Sequence, residues 1–440
     1  MRVLWFCNSL LPDHAVALGK PVSHRGGWMP ALADALVADD RIQLAVATDV
    51  LGAEDGKTVV GGTRYYTVAR RRGWGDRVRL PDKLVQSYRR VVNDFEPDLV
   101  HIHGTEYFHG LLTARAHITC PAVVSIQGII DVCRRYWWGG LSYDEVAASR
   151  TMRDRLRRDG LLEQRRRLEH RAVVEREIFA AHSAFIGRTL WDRAHLSRLN
   201  PNATYYRCEE LLRAPFAFAE WDIRRIQRQT IFASGASCPL KGFHVLIKAA
   251  ALLRKAFPDV RVRVMMAEFY PGVSGVRRLW KDCRSRGYAR YLTDLIHREG
   301  MAEHVIPLAP LDAQGVAAEL RRAHAFVLPS LMENSPNSLA EAMMVGTPSA
   351  ASYVGGIPTM ACDGEAVLLF PPGDEALLAE RLRTIFLKDD WAVGASRQTR
   401  TAALQRHSTR RIVDRMVEVY AAVAPGSGNA LASLTRKALT

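Results

Sequence analysis

Long apolar runs and paired cysteines are both missing from this 440-residue sequence. No apolar run reaches the roughly 18 residues that a membrane-spanning helix needs. The seven cysteines are scattered and include no CxxC pair, which argues against a disulfide scaffold or a zinc site. The apolar run near the N-terminus is too short for a secretion signal. We therefore expect a cytoplasmic protein, with two domains because the chain is too long for one core.

Acidic residues are outnumbered, and the formal net charge of +15 is unevenly spread. Residues 301–400 carry seven Lys/Arg against twelve Asp/Glu, so the basic excess lies upstream, in 69–79, 134–140 and 150–176. A mixed helix such as 150–176, with ten arginines and five acids, is usually a solvated face. The alternative is a surface for anionic lipid or a phosphorylated substrate. Motifs that read nucleic acid are absent, so no nucleic-acid partner is expected.

Short apolar runs alternate with helical patterns along the chain. Runs such as 2–7, 98–104, 230–235 and 325–330 predict buried strands, and the patterns between them predict helices. This rhythm is typical of parallel sheets covered by helices on both faces, and therefore of an α/β fold with two doubly wound halves. The predicted division is a domain at 1–205, a connection at 206–228, a second domain at 229–405, a helix at 406–424 and a loose tail at 425–440.

Two glutamates stand eight positions apart in "MENSPNSLAEAMMVGTP". The stretch follows the predicted strand 325–330, so Glu333 is expected in a loop at the carboxyl end of a parallel strand, where ligands of such sheets bind. Ser335 and Pro336 predict the start of a helix that Gly346 ends. Amides at that helix start suit a phosphate. The alternative, which spacing leaves equally open, is one loop carboxylate and one exposed helical carboxylate at Glu341.

The stretch 329–358 resembles the E-x7-E segment of retaining glycosyltransferases of the GT-B fold, family 4. Residues 234–262 are similar to that family's strand, KG loop and helix, and 96–104, 121–128 and 364–382 follow in the family's order. The resemblance runs over nearly the whole chain. It implies two facing Rossmann-like domains with a cleft between them. It also implies that the helix at 406–424 crosses back to the first domain.

Site residues follow from the resemblance position by position. It implies that Glu333 contacts the donor sugar near its reacting carbon, that Glu341 binds the nucleotide ribose, and that Lys241 neutralises the leaving diphosphate. Further donor-binding positions are Gly235, Asn334, Ser335, Asn337, Ser338, Gly26 and Gly27. No cofactor is implied beyond a nucleotide-sugar co-substrate, which the sequence does not resolve among UDP-, GDP- and ADP-linked sugars. No Asp/Glu pair suited to a metal is visible.

Three positions depart from the family pattern. Ala236 stands where the family usually has an arginine, and Arg188, Arg207 or Arg213 could replace that cation, with Arg188 the first choice. Gln127 stands where the family often has a histidine, and it can form hydrogen bonds but cannot take a proton at neutral pH. Thr359 follows the paired glycines in place of an acid.

The acceptor side is expected in the first domain, at His103 and Gln127. His101 and His103 belong to one predicted strand and are expected to face opposite ways, which argues against a metal bound by the pair.

The sequence thus predicts a metal-independent, retaining glycosyltransferase that uses a carbohydrate or lipid-linked acceptor in polysaccharide or glycolipid biosynthesis. Two alternatives remain: a sugar-nucleotide epimerase of the GT-B fold, and a non-catalytic binding or scaffold protein that uses the basic N-terminal face. The segment "RRYWWGGLSY" at 134–143 pairs arginines with aromatics. This pairing predicts that the protein docks on the anionic inner face of the cell membrane through Trp137 and Trp138. The alternative is that these two side chains pack inside the domain.

Overall fold

A computed structural model describes residues 1–22, 27–71, 78–265, 268–270, 272–361 and 366–424. These residues form two compact units. Unit 1 comprises 1–131, 170–213 and the described residues from His407 onward, and unit 2 comprises 132–169 and 214–406.

Unit 1 is built on an eight-stranded sheet with the strand order β3-β4-β2-β1-β5-β6-β7-β8. All neighbouring pairs are parallel except the β3–β4 hairpin. The strands are β1 (Arg2–Cys7), β2 (Gln43–Leu51), β3 (Gly56–Val60), β4 (Thr63–Arg70), β5 (Leu99–His103), β6 (Ala122–Ser125), β7 (Ala184–Gly187) and β8 (Thr204–Arg207).

Unit 2 is built on a six-stranded, wholly parallel sheet with the order β11-β10-β9-β12-β13-β14. Its strands are β9 (Gln227–Ala233), β10 (Arg261–Met265), β11 (Val305–Leu308), β12 (Ala323–Leu328), β13 (Ser349–Ser352) and β14 (Val367–Phe370). Both sheets therefore have the predicted doubly wound form, in which sequential strands diverge from a central pair.

Helices cover the sheets and, in chain order, are α1 (Pro12–Ala17), α2 (Trp28–Val37), α3 (Asp82–Phe95), α4 (His109–Ala114), α5 (Ile130–Cys133), α6 (Tyr143–Ser149), α7 (Met152–Arg157), α8 (Leu161–Ala181), α9 (Leu190–Leu199), α10 (Pro215–Phe218), α11 (Phe243–Arg254), α12 (Gly275–Arg284), α13 (Gly287–Arg298), α14 (Ala313–Arg322), α15 (Asn337–Val345), α16 (Ile357–Met360), α17 (Glu375–Leu387), α18 (Asp389–Arg406) and α19 (Thr409–Val423). The boundary between the units at 169/170 falls inside α8.

The core of unit 1 includes the last helix of the described chain. Ile412, Met416 and Tyr420 of α19 are buried in the same cluster as Val3 and Trp5 of β1. The Trp5 indole donates a hydrogen bond to the Tyr420 hydroxyl at 3.0 Å. Strands such as β1 are apolar on both faces because helices cover both sides of a parallel sheet, and α19 supplies part of that cover in unit 1.

Residues 132–169 differ from the predicted division, which assigned them to the N-terminal domain. They group with unit 2, because Leu141, Val146 and Leu161 are buried in the core of that unit. The predicted connection at 206–228 also contains regular structure, the end of β8 and helix α10. The mixed helix expected at 150–176 is divided between α7 and α8, because Arg158 adopts a left-handed conformation at φ +50°.

Candidate active site

The site in unit 2 lies where the strand order reverses. Strands β9 and β12 are neighbours at the centre of the sheet, and the connections leave them in opposite directions. Loops that follow the carboxyl ends of such a strand pair form the usual ligand crevice of an open α/β sheet. The loop after β9 carries Gly235 and Lys241, and the loop after β12 carries Glu333.

The loop after β9 ends in a tight turn that positions Lys241. A 3-10 turn spans Pro239–Lys241, and Gly242 follows with φ +66°. A side chain on Gly242 would place a Cβ 2.7 Å from the Pro329 carbonyl carbon, so only glycine fits there. The Leu331 amide donates to the Leu240 carbonyl at 2.8 Å. The lysine loop is thus bound directly to the loop after β12.

Lys241 and Glu333 form an ion pair at the centre of the site. Lys241 Nζ donates to Glu333 Oε1 at 2.6 Å, and the Ser330 hydroxyl donates to the same oxygen at 2.8 Å. The Glu333 side chain is 12% exposed and that of Lys241 is 40% exposed. Desolvation alone would lower the pKa of Lys241, but the charge and hydrogen bond of Glu333 outweigh it and raise that pKa. The lysine is therefore cationic at neutral pH.

The backbone of Glu333 is fixed as well as its side chain. Its carbonyl accepts a hydrogen bond from the Gly356 amide at 3.2 Å. Gly355 has φ +51°, and a Cβ there would lie 3.0 Å from the Glu333 carbonyl carbon. The paired glycines before α16 therefore allow the chain to pack closely on Glu333, which sequence reasoning did not foresee.

Helix α15 begins next to Glu333, at Asn337 rather than at Pro336. The prediction that Ser335 caps the helix is wrong: the N-cap is Pro336, no side chain caps it, and the Ser335 hydroxyl lies 3.5 Å from the Met360 sulfur. The first amides of a helix have no partner within it, and Ser338 belongs to this first turn. Asn334 is buried, while Ser335, Asn337 and Ser338 are half-buried.

Glu341 is not the exposed helical carboxylate that was one alternative. It is 7% exposed, in the second turn of α15.

Gly235 lies just after β9 and is half-buried, and a Cβ there would meet no atom within 4 Å. Lys241, Glu333 and the residues of the α15 start are thus brought together by the neighbouring loops of one sheet.

The acceptor-side candidates lie in unit 1, at the carboxyl ends of neighbouring strands. His103 ends β5 and Gln127 follows β6. His103 is 3% exposed, and neither of its ring nitrogens has a hydrogen-bond partner among the described residues. Burial and the nearby charges hold its pKa well below the ordinary value, so the ring is neutral at pH 7.

The expectation that His101 and His103 face opposite ways is wrong. Residues two apart in a strand share a face, and the two ring centroids are 3.9 Å apart. His101 is occupied in the core, where its ring nitrogens lie 2.8 Å from the Tyr420 hydroxyl and 2.7 Å from the Ser125 hydroxyl. Within the described part of the chain, no group of three His, Cys, Asp or Glu side chains could hold a metal ion.

Arg188 is committed inside unit 1. Its side chain is 4% exposed and forms an ion pair with Glu210, and it donates to the Ile126 carbonyl. An anionic ligand would have to displace Glu210 to reach its charge. Arg213 lies beside Gly27, where an added Cβ would be 2.5 Å from Arg213 Cδ. Gly26 lies outside the described residues.

The aromatic segment predicted to meet a membrane is partly packed in unit 2. Trp138 lies against the core of that unit, and the Arg165 guanidinium stacks on its ring at 4.3 Å from the centroid. Trp137 is half-buried. Trp138 is also half-buried, and its packing against unit 2 leaves only part of the ring exposed to solvent. Among the described residues, no helix is both long and apolar enough to cross a bilayer.

Comparison with known proteins finds similarity to glycosyltransferases. Residues 222–403 match the model of "Glycosyl transferases group 1". Similar curated proteins include a D-inositol 3-phosphate glycosyltransferase of Thermomonospora curvata, 34% identical over 186 residues that cover 41% of this chain and 40% of the relative. Another is a phosphatidyl-myo-inositol mannosyltransferase of Mycobacterium leprae, 27% identical over 204 residues that cover 46% of this chain and 48% of the relative. The matches thus span less than half the length of these relatives.

Solved structures resemble the chain over nearly its full length. Sucrose-phosphate synthase of Thermosynechococcus elongatus has a TM-score of 0.73 at 17% identity, covering 97% of this chain and 100% of that structure. The Anabaena protein HepE, solved with UDP-glucose, has a TM-score of 0.64 at 15% identity, covering 96% of this chain and 100% of that structure. The chain therefore has the GT-B type of fold, and its residues 222–403 are similar to the group 1 glycosyl transferases.

Proposed function

We propose that this chain is a retaining glycosyltransferase of family 4 that transfers a sugar from a nucleotide-sugar donor. The observation that carries the proposal is the ion pair of Lys241 and Glu333, held at the switch point of the unit 2 sheet and beside the start of α15. The match of residues 222–403 to group 1 glycosyl transferases supports it.

In the proposed reaction each group of the site meets a different part of the donor. Breaking the bond from sugar to phosphate develops negative charge on the departing oxygen. A fixed lysine and fixed amides stabilise that charge at little reorganisation cost. Lys241 and the amides at the start of α15 take this role. Glu333 faces the sugar, and Glu341 binds the ribose hydroxyls.

The same arrangement supports transfer without a metal ion, because Lys241 and the helix amides supply the positive potential that a divalent cation would otherwise provide. Activity is expected to persist in EDTA at concentrations that strip Mg²⁺ and Mn²⁺. Complete inhibition that Mg²⁺ or Mn²⁺ reverses would contradict this part of the proposal.

The acceptor is assigned to unit 1, at the edge that carries His103 and Gln127. A neutral imidazole and an amide can hydrogen-bond to hydroxyl groups without bringing a charge. We assign the enzyme to polysaccharide or glycolipid assembly on the cytoplasmic side of a membrane, with a carbohydrate or lipid-linked acceptor. The basic excess of the chain supports a location at an anionic surface.

The test starts with a thermal-shift panel of UDP, GDP, ADP and their sugars. A nucleotide at 100 times its Kd adds about 2.7 kcal/mol to the free energy of unfolding, which is readily visible. The donor found in this way is then incubated with candidate acceptors, and the anomeric configuration of the product is read by NMR. A changed nucleotide sugar released without acceptor would indicate an epimerase instead. Absence of binding across the panel would indicate a non-catalytic protein.

A further inference from the structure

Helix α12 of unit 2 exposes an apolar face to solvent. None of its ten residues is buried. Val276, Leu279 and Trp280 are 84%, 66% and 59% exposed, and their spacing of three and four residues puts them on one side of the helix. Exposed apolar residues scattered singly are ordinary, but a contiguous group marks an interaction surface.

The helix is attached to unit 2 by its polar side, which is the reverse of an ordinary surface helix. Asp282 accepts a hydrogen bond from the Tyr270 hydroxyl at 2.5 Å. Arg278 bonds to Asp282 at 3.2 Å and pairs with Asp294. Arg278 and Asp282 are about one-fifth exposed. The apolar side therefore faces outward because the polar contacts of the opposite side hold the helix in that orientation.

Helix α7 lies next to α12 and exposes apolar residues too. Met152 and Leu156, one turn apart, are 61% and 79% exposed. The Thr151 hydroxyl donates to the Ser285 carbonyl at 2.8 Å, and the Gly287 amide donates to Asp154 at 2.8 Å. These bonds tie the start of α7 to the end of α12. We call Met152, Leu156, Val276, Leu279 and Trp280 the α7–α12 surface.

Cations accompany this surface on both helices, whereas the acids turn inward. Asp154 and Asp282 are the acids of the two helices, and both are engaged in hydrogen bonds with unit 2. The Arg284 guanidinium stacks on the Trp280 ring at 4.5 Å from the centroid. The other cations of these helices at or near the surface are Arg155, Arg157, Arg277 and Lys281.

We propose that the α7–α12 surface docks on an anionic lipid bilayer, with α12 lying in the plane of the interface. An exposed tryptophan beside Leu and Val, flanked by Lys and Arg, is the composition of helices that bind the headgroup region. Each cation near such a surface adds attraction. The inference deepens the membrane part of the proposed function, and it does not depend on the transfer reaction.

Flotation with the full chain and vesicles tests the proposal without any donor or acceptor. Wild type is expected to float with vesicles of phosphatidylcholine and phosphatidylglycerol, to bind less as salt rises, and not to float with phosphatidylcholine alone. Val276→Ser, Leu279→Ser and Trp280→Ser together are expected to raise the apparent vesicle Kd by about tenfold or more. The matched control is the triple variant Val59→Ser, Leu190→Ser and Leu387→Ser. These three side chains are 65%, 68% and 61% exposed and lie outside the α7–α12 surface, so this variant is expected to bind vesicles as wild type does.

A second measurement locates the contact. Cys283 is exposed on α12 and can carry a polarity-sensitive fluorophore. Its emission is expected to shift to shorter wavelength when anionic vesicles are added. The Cys283→Ser variant, labelled in the same way, measures the signal from label on other cysteines. Three results would overturn the proposal: wild type that stays unbound at low salt, a triple variant that floats as well as wild type, or a protein dimer that depends on the same three residues. None of these depends on whether transfer activity is found, so the two proposals fail separately.

Discussion

Gly139 offers a test of how the lysine loop is held, because a single methyl group at this position would strike that loop. Gly139 has φ +62°, and a Cβ there would lie 2.5 Å from the Pro239 carbonyl carbon and 3.0 Å from the Pro239 Cβ. The Pro239 carbonyl accepts the Gly242 amide at 2.8 Å and so closes the turn that carries Lys241. His244 Nε2 lies 3.0 Å from the Gly139 carbonyl, which fixes the glycine on unit 2.

Gly140 is the matched control. It has φ +85°, but a Cβ there would meet no atom within 4 Å. Alanine at either position pays about 1–2 kcal/mol for a left-handed conformation. Only Gly139→Ala adds a collision. The new Cβ and the Pro239 carbonyl carbon must move apart by about 1 Å to reach an ordinary carbon contact. This overpacking costs a further 1–3 kcal/mol or so of stability, and a displacement of about 1 Å near reacting groups can cost about 10²-fold in rate.

The assay compares the two variants in kcat and in binding. We expect kcat of Gly139→Ala to fall about 10- to 100-fold below that of Gly140→Ala. Calorimetry is expected to show that Gly139→Ala weakens the binding of a nucleoside diphosphate more than the binding of the nucleoside. The reason is that Lys241 is proposed to contact the diphosphate and not the nucleoside. Equal kcat and equal binding ratios in two folded variants would refute the idea that Gly139 positions the lysine loop.

Three further predictions concern the buried acids and the lysine. Glu333→Ala is expected to lower kcat by about 10²–10³, and near-normal turnover with a confirmed acceptor would remove Glu333 from the chemistry. Lys241→Ala is expected to weaken the binding of nucleoside diphosphates far more than the binding of nucleosides, as measured by calorimetry. An equal loss of affinity for both would contradict the contact of Lys241 with the diphosphate. Burial raises the pKa of Glu175 from 4.5 to about 7, so this acid destabilises the fold increasingly as pH rises from about 4.5 to 7, by up to about 3 kcal/mol. Glu175→Gln is expected to flatten that decline in urea unfolding, and an unchanged slope would contradict the raised pKa.

The buried strands could be predicted because parallel strands covered on both faces are written as short apolar runs. The exposed β3–β4 hairpin escaped that criterion because β3 is mostly solvent-facing. The turn does carry a sequence signal, because a Gly-Gly pair between two extended segments is typical of a hairpin. In the structure, Gly61 and Gly62 both have positive φ. Helix α12 was missed for a different reason: its apolar residues face solvent, so the segment lacks the pattern of a helix packed on a core.

The sequence could indicate Lys241 and Glu333 as partners in one site, but it could not indicate that Gly139 supports the same loop. Periodicity reports which face of an element is buried, not which sheet buries it. Residues 132–169 were therefore assigned to the N-terminal domain, although Leu141 and Leu161 pack in unit 2. The same ambiguity applies to Trp138, since an aromatic next to arginines can be a lipid contact or, as here, a ring under the Arg165 guanidinium.

The contacts around Lys241 have a common consequence for the proposed reaction. Gly139, Pro329 and Leu331 constrain the loop from separate parts of unit 2, and Glu333 holds the ammonium group itself. A free lysine side chain would lose much rotamer freedom when a diphosphate arrives, whereas this lysine is already confined by its carboxylate. In the proposed reaction, the ammonium group would move from the Glu333 carboxylate to the donor diphosphate, or contact both. The Glu333 carboxylate would then lie close to the sugar carbon, where positive charge grows as the diphosphate departs. The ion pair of Lys241 and Glu333 therefore supplies both of the charges that the proposed transfer uses.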